Sequence, residues 1–192
     1  MPFVDTVAGL FAKAQGFLTA LGLIVTLFFT WRQQRRLVRV EQQQTYQRLE
    51  LASNEVFRFT AANAETLIAY QAQQPDPSIN FERSLAQNMV ADNHIYQTLN
   101  LFEMAARLRK EAFFQDEIFA SWVIWYYELL QSWYFRNKWP QIALNYTREM
   151  RLVFNEPVRK FDPRADEAQR MQEFYAHVAR VLDCPDVLKA LA

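Results

Sequence analysis

The chain has 192 residues and no net charge, with 21 Lys+Arg against 21 Asp+Glu, and 51% of it is hydrophobic. That balance excludes the broad basic footprint of a nucleic-acid-binding protein, and the length allows one domain with its own core beside a short anchor. The single cysteine, Cys184, excludes an internal disulfide and fits a buried thiol in a reducing compartment.

Residues 7–31 read VAGLFAKAQGFLTALGLIVTLFFTW, with no charge after Ala14. A helix of about 20 such residues matches a hydrocarbon core of about 30 Å, so the sequence predicts a transmembrane anchor over 1–31. Arg32, Arg35, Arg36 and Arg39 follow at once, whereas the N-terminal flank carries only Asp5. The positive-inside bias then predicts a single-pass protein of the inner (plasma) membrane, N-terminus outside and C-terminal domain cytoplasmic. A cleaved signal peptide would need a basic start and a small-residue cleavage site, and neither is present here. Ala8, Ala12, Gly16 and Ala20 recur every four residues, a narrow stripe that lets a second helix approach closely. Trp31 falls where an interfacial aromatic belt places it.

Residues 32–54 form a basic and polar juxtamembrane helix. Leu37, Val40, Leu51 and Phe57 suggest a coiled-coil seam, but Gln44 and Gln47 occupy it between Val40 and Leu51, so a stalk ending at the caps Ser53 and Asn54 is the preferred reading. The cytoplasmic helical bundle then covers 55–192. Its first helix runs from Glu55 to about Ala72 with Val56, Phe59, Asn63, Leu67 and Tyr70 on one side. Pro75-Asp76-Pro77 stops it. A short helix is expected from about Phe81 to Val90, and Asp92-Asn93 then caps a central helix with the face Ile95, Leu99, Phe102 and Ala106, widened by Leu101, Met104 and Leu108.

The apolar stretch 118–135 invites a second membrane span. Glu128 and Gln131 inside it, and the basic residues Arg136, Lys138, Arg148 and Arg151 beyond it, assign it instead to a soluble core lined by Trp122, Tyr126, Leu129, Leu130 and Trp133. Pro140 is read as the first turn of a helix reaching Phe154 through Ile142, Tyr146, Met150 and Val153, with Pro157 at its exit. Asp162-Pro163 is read as the start of the last long helix, with Met171, Phe174, Tyr175, Val178, Val181 and Leu182 inward. Cys184-Pro185 ends it, and DVLKALA adds a turn.

Only Gly9, Gly16 and Gly22 are glycines, so no phosphate loop and no serine-nucleophile elbow can exist beyond the anchor. His94 and His177 lack the spacing of a helical zinc pair, and structural roles are the better expectation for both. Glu103, Asp116, Glu117 and Glu128 can in principle converge with His94, but the paired Glu-x-x-His pattern is missing. Asn100, Glu103 and Arg107 share one stripe of the central helix, either as a surface ladder or as a polar network that fixes register.

The run NLFEMAARLRKEAFFQDEIFASWVIWYYELLQSWY, with Asn100, Phe102 and Glu103 before a basic helix end, resembles the bacterial family DUF4760. The resemblance implies an N-terminal hydrophobic helix followed by a cytoplasmic helical domain, and no reaction. Members often carry glycine where this chain has Glu111-Ala112. The expectation is an all-α, non-enzymatic protein with no catalytic, cofactor or metal residues. It acts through the lipid bilayer and a protein partner or homo-oligomer, without nucleic acid. The alternatives are an accessory subunit at the edge of a larger membrane complex, and a membrane-tethered enzyme with a helical metal site.

Overall fold

The computed structural model describes residues 2–77, 84–113 and 115–189, without the side chains of 2–25 and 39. Every element among them is helical: α1 (Pro2–Ala62), α2 (Ala64–Gln71), α3 (Leu85–Lys110), α4 (Asp116–Gln131), α5 (Trp133–Ile142), α6 (Arg148–Lys160), α7 (Glu167–Val181) and α8 (Asp186–Lys189). The chain divides into two compact units, Met1–Thr45 and Tyr46–Ala192.

The first unit is helical backbone. Among the described residues no helix is long and apolar enough to cross a membrane. Most of the apolar span, the stripe Ala8, Ala12, Gly16 and Ala20, and the Arg39 side chain lie outside the described side chains. Those that are described form an exposed apolar group, with Leu27, Phe28 and Phe29 each more than half exposed. The Thr30 hydroxyl donates to the Thr26 carbonyl at 2.8 Å, and the Arg35 guanidinium lies 3.9 Å from the centre of the Trp31 ring.

In the second unit α4 is central, packing against α3, α5, α6, α7 and α8. Its faces explain this: Phe119, Ala120, Trp122, Val123, Tyr126, Tyr127, Leu129 and Leu130 are all buried, so apolar side chains cover most of the helix circumference. The aromatic stretch is therefore protein core. Tyr126 lies 3.9 Å from Phe102 between ring centres, and its hydroxyl donates to the Phe102 carbonyl at 2.9 Å. A second aromatic group joins Phe135, Trp139, Tyr146 and Phe154, with the Trp139 indole N–H donating to Asn155 Oδ1 at 2.9 Å. Cys184 is buried, as its apolar setting suggests.

Several boundaries differ from the sequence expectation. Ser53 and Asn54 do not cap a new helix: α1 runs through them, and the Ser53 hydroxyl donates back to the Glu50 carbonyl at 2.8 Å. The interruption falls at Asn63, whose side-chain amide donates to the Phe59 carbonyl at 2.8 Å. Asp92 and Asn93 cap nothing, because α3 begins at Leu85; residues 81–83 of the expected short helix lie outside the described residues. Asp92 instead takes the Tyr134 hydroxyl at 3.0 Å and Lys138 Nζ at 2.8 Å, tying mid-α3 to α5.

The prolines also sit differently. Pro140 is inside α5, which leads into a 3-10 turn at Ala143–Asn145, and Pro157 is inside α6. Each falls near the end of its helix, where few turns remain to be distorted. The Asp162 side chain accepts the Arg164 N–H at 2.9 Å in a local turn, and Asp166 is the residue that caps α7, accepting the Gln169 N–H at 2.9 Å. Trp133 is only partly buried, and Met104 is 39% exposed.

Helix C-termini are capped by donors distant in sequence. The last carbonyls of a helix have no partner within it. At the end of α2 they receive Ser132 Oγ (to Tyr70 O, 2.7 Å), the Trp133 indole (to Ala69 O, 2.9 Å) and the Trp133 backbone N–H (to Ala72 O, 2.9 Å). Arg136 adds a bond to Gln73 O at 2.5 Å and spans to the end of α4 through Leu130 O at 2.9 Å and Gln131 O. Arg109 does the same for α7, bonding Leu182 O and Asp183 O, each at 2.7 Å, while it pairs with Asp116 at 2.6 Å.

α3 ends in a Schellman motif: Ala112 N–H bonds Arg109 O and Phe113 N–H bonds Leu108 O, both at 2.9 Å, with Ala112 at φ 59°. A Cβ is unfavourable in that left-handed region, which costs roughly 1 kcal/mol relative to glycine. Ala112→Gly is therefore expected to raise the unfolding free energy by about 0.5–1 kcal/mol, after the entropy glycine adds to the unfolded chain is subtracted. Urea melts of the two proteins check this, and a loss of stability would show that the turn does not constrain the residue.

Candidate functional site

The second unit holds a half-open cavity of about 340 Å³ between the C-terminal stretch of α1 and helices α2, α3, α4 and the start of α5. Small-molecule sites span about 300–1,000 Å³. One wall is aromatic: Phe57 and Trp125 meet edge to face at 5.2 Å, and Tyr70 and Tyr134 at 4.8 Å. Its polar lining includes His94, Thr60, Gln71, Thr98 and Glu128.

His94 lies between α1 and α2. Its Nδ1 is 3.4 Å from Thr60 Oγ1 and its Nε2 is 3.2 Å from Gln71 Nε2. The Thr60 hydroxyl hydrogen already goes to Val56 O at 2.9 Å, so Thr60 must accept from His94. Donor accounting thus assigns the proton to Nδ1 and leaves Nε2 to accept from the Gln71 amide. This is a neutral imidazole. Burial agrees, since desolvation pulls the His94 pKa below its ordinary value.

The unfolded chain therefore takes up a proton on this residue at a higher pH than the fold does. The stability His94 contributes is complete above the unfolded pKa of about 6.5 and is lost as pH falls from there toward the lower folded value. Glu128 opposes this at more acidic pH, because desolvation raises its pKa and the fold then binds the proton more readily. The test is a difference: between pH 7.5 and 5, the parent is expected to lose more stability in denaturant melts than His94→Gln. Parallel curves would contradict the assignment.

Glu128 lies on the rim of the cavity, exposed to solvent on its outer side, three residues beyond Trp125 on the same helix. The other carboxylates do not join it. Glu103 accepts the Thr147 backbone N–H at 2.7 Å, Asp116 pairs with Arg109, and no group of three His, Cys, Asp or Glu placed to hold a metal occurs among the described residues. His177 is elsewhere, with Nε2 at 2.8 Å from Leu152 O.

Asn100, Glu103 and Arg107 do not form one network. Glu103 turns to Thr147, Arg107 pairs with Glu111 at 3.6 Å, and Asn100 and Arg107 are exposed. Glu103 alone of the three reaches another element, at the turn before α6. Of the topology residues, Arg32, Arg35 and Arg36 are exposed. No family model, curated protein or solved structure matches the chain.

Thr60 and Gln71 escaped sequence reasoning. They lie 34 and 23 residues from His94, and no local spacing joins them. Arg136 was legible only as a positive charge, since nothing in sequence shows that two helix ends converge on it.

Proposed function

We propose that the chain is a single-span membrane protein of the inner (plasma) membrane, with a cytoplasmic helical domain, that acts by protein–protein contact and not as an enzyme. The supporting observation is the group at residues 27–35. Leu27, Phe28 and Phe29 are exposed, and they are followed by Trp31 with the Arg35 guanidinium over its ring. Apolar side chains left uncovered in this way call for lipid or protein around them. An indole beside a guanidinium suits the boundary where hydrocarbon meets headgroups. Thr30 returning its hydroxyl to Thr26 O satisfies a polar group without water, as a bilayer interior requires.

A protein partner is favoured by Leu37, Val38 and Val40, each about half exposed just beyond the first arginines. The order of parts is that of the DUF4760-like family the chain resembles, and that family is the proposed home for it. Self-association or a partner protein is the expected outcome of purification in mild detergent. A particle of two or more copies, or a stoichiometric companion, supports the proposal. A large assembly of fixed composition favours an accessory subunit. A bare monomer, with no crosslinked companion in native membranes, contradicts both.

A further inference from the structure

We propose that the half-open cavity bounded by α1, α2, α3, α4 and the start of α5 binds a small organic cation, a primary amine on an aromatic-sized apolar body. Glu128 is the counter-ion, and Trp125 and Phe57 form the wall behind it. The site does not depend on the anchor.

Charge decides the ligand class. Among the described lining residues there is no Lys, Arg or Asp, and Glu128 is the one carboxylate. His94 stays neutral and adds no opposing charge. The other polar groups are already committed: Thr60 and Thr98 donate to backbone carbonyls, Tyr134 to Asp92, Gln131 to Glu167 and Ser132 to Tyr70 O. Glu128 has no ion pair or hydrogen bond with any described residue, and desolvation raises its pKa. A partly desolvated carboxylate with no ion-pair partner of its own is stabilised in its charged form by an incoming cation.

The body of the ligand follows from the walls. The Phe57 and Trp125 rings meet edge to face at 5.2 Å, and an electron-rich ring face is what holds an ammonium by cation–π attraction. The volume of about 340 Å³ accommodates an aromatic or cyclohexyl group behind it. A bare metal ion is disfavoured, because a hard cation needs several oxygen ligands and one carboxylate with a neutral imidazole does not supply them. Organic acids meet Glu128 as a like charge.

The full chain in nanodiscs of zwitterionic lipid, titrated with phenethylamine, tryptamine and cyclohexylmethylamine, tests this by calorimetry and tryptophan fluorescence. The matched alcohol 2-phenylethanol and the acid 3-phenylpropionate are the comparison ligands. At least one amine is expected to bind saturably, about tenfold or more tighter than the alcohol, the scale of one charge-assisted contact, and the acid not at all. Glu128→Gln is expected to abolish the preference for amine over alcohol, while Trp125→Leu weakens the amine and keeps that preference. Circular dichroism of each variant verifies the fold, and Glu128 is exposed enough to be replaced without disturbing it. The proposal is overturned if no amine binds saturably, if amine and alcohol bind alike, or if Glu128→Gln binds the amine as the parent does.

Discussion

Arg136→Met lowers the unfolding free energy of the helical domain by about 3–5 kcal/mol, because hydrogen bonds to a charged group are worth about 1.5–3 kcal/mol each and do not add fully. Three carbonyls lose their donor together: Gln73 O beyond α2, and Leu130 O and Gln131 O at the end of α4. The Phe161 ring also loses the guanidinium that lies 3.8 Å from its centre. One term offsets this. Arg170 sits 4.9 Å from the centre of the same ring, and removing one of two like charges relieves their repulsion. Burial, with Arg170 adding to it, pushes the Arg136 pKa down to about 10, so the group stays protonated at neutral pH. Arg136→Lys keeps the charge but cannot fork to two helix ends, and it is expected to recover about half of the loss. Denaturant melts at constant pH measure all three. A cost below about 1 kcal/mol for Met would place those carbonyls in water and not under the guanidinium.

Trp139→Ala is expected to cost about 3–5 kcal/mol, the range for emptying a large buried aromatic site. Trp139 is 1% exposed, touches Phe135, Tyr146 and Phe154, and its indole holds Asn155 at 2.9 Å. Truncation leaves a cavity and an amide oxygen without its donor. Tyr126→Phe is the control, because it removes only the bond to Phe102 O and keeps the ring; the expected cost is about 1 kcal/mol. Equal losses for the two variants would contradict the view that the ring contacts, and not the indole hydrogen bond, supply the stability.

Helix periodicity made much of this domain legible. Ile95, Leu99 and Phe102 on α3, Tyr126 and Leu130 on α4, and Met150 and Val153 on α6 are buried as their spacing predicts. Periodicity reports which face turns inward, and burial of an apolar face is what drives packing. It does not report where a helix starts when Asp and Pro are both plausible signals. Asp92 resembles a cap and is a mid-helix ion-pair partner, while Asp166, with no proline after it, is the real cap. Trp139, next to Pro140, falls outside the apolar sets that the spacing picks out, yet it is among the largest fully buried side chains. The candidate site was legible in its parts, since His94 and Glu128 stood out as titratable groups on helices. Their common cavity was not, because it depends on how α1, α2, α3 and α4 meet.

The most direct test of the central proposal is the side of the membrane on which the helical domain sits. Two reporters fused in turn after Ala192 decide it, a fluorescent protein that matures in the cytoplasm and a phosphatase active only outside. The account predicts fluorescence that stays with the membrane pellet after an alkaline wash, and no phosphatase activity. Phosphatase activity, or fluorescence released into the wash, would contradict it.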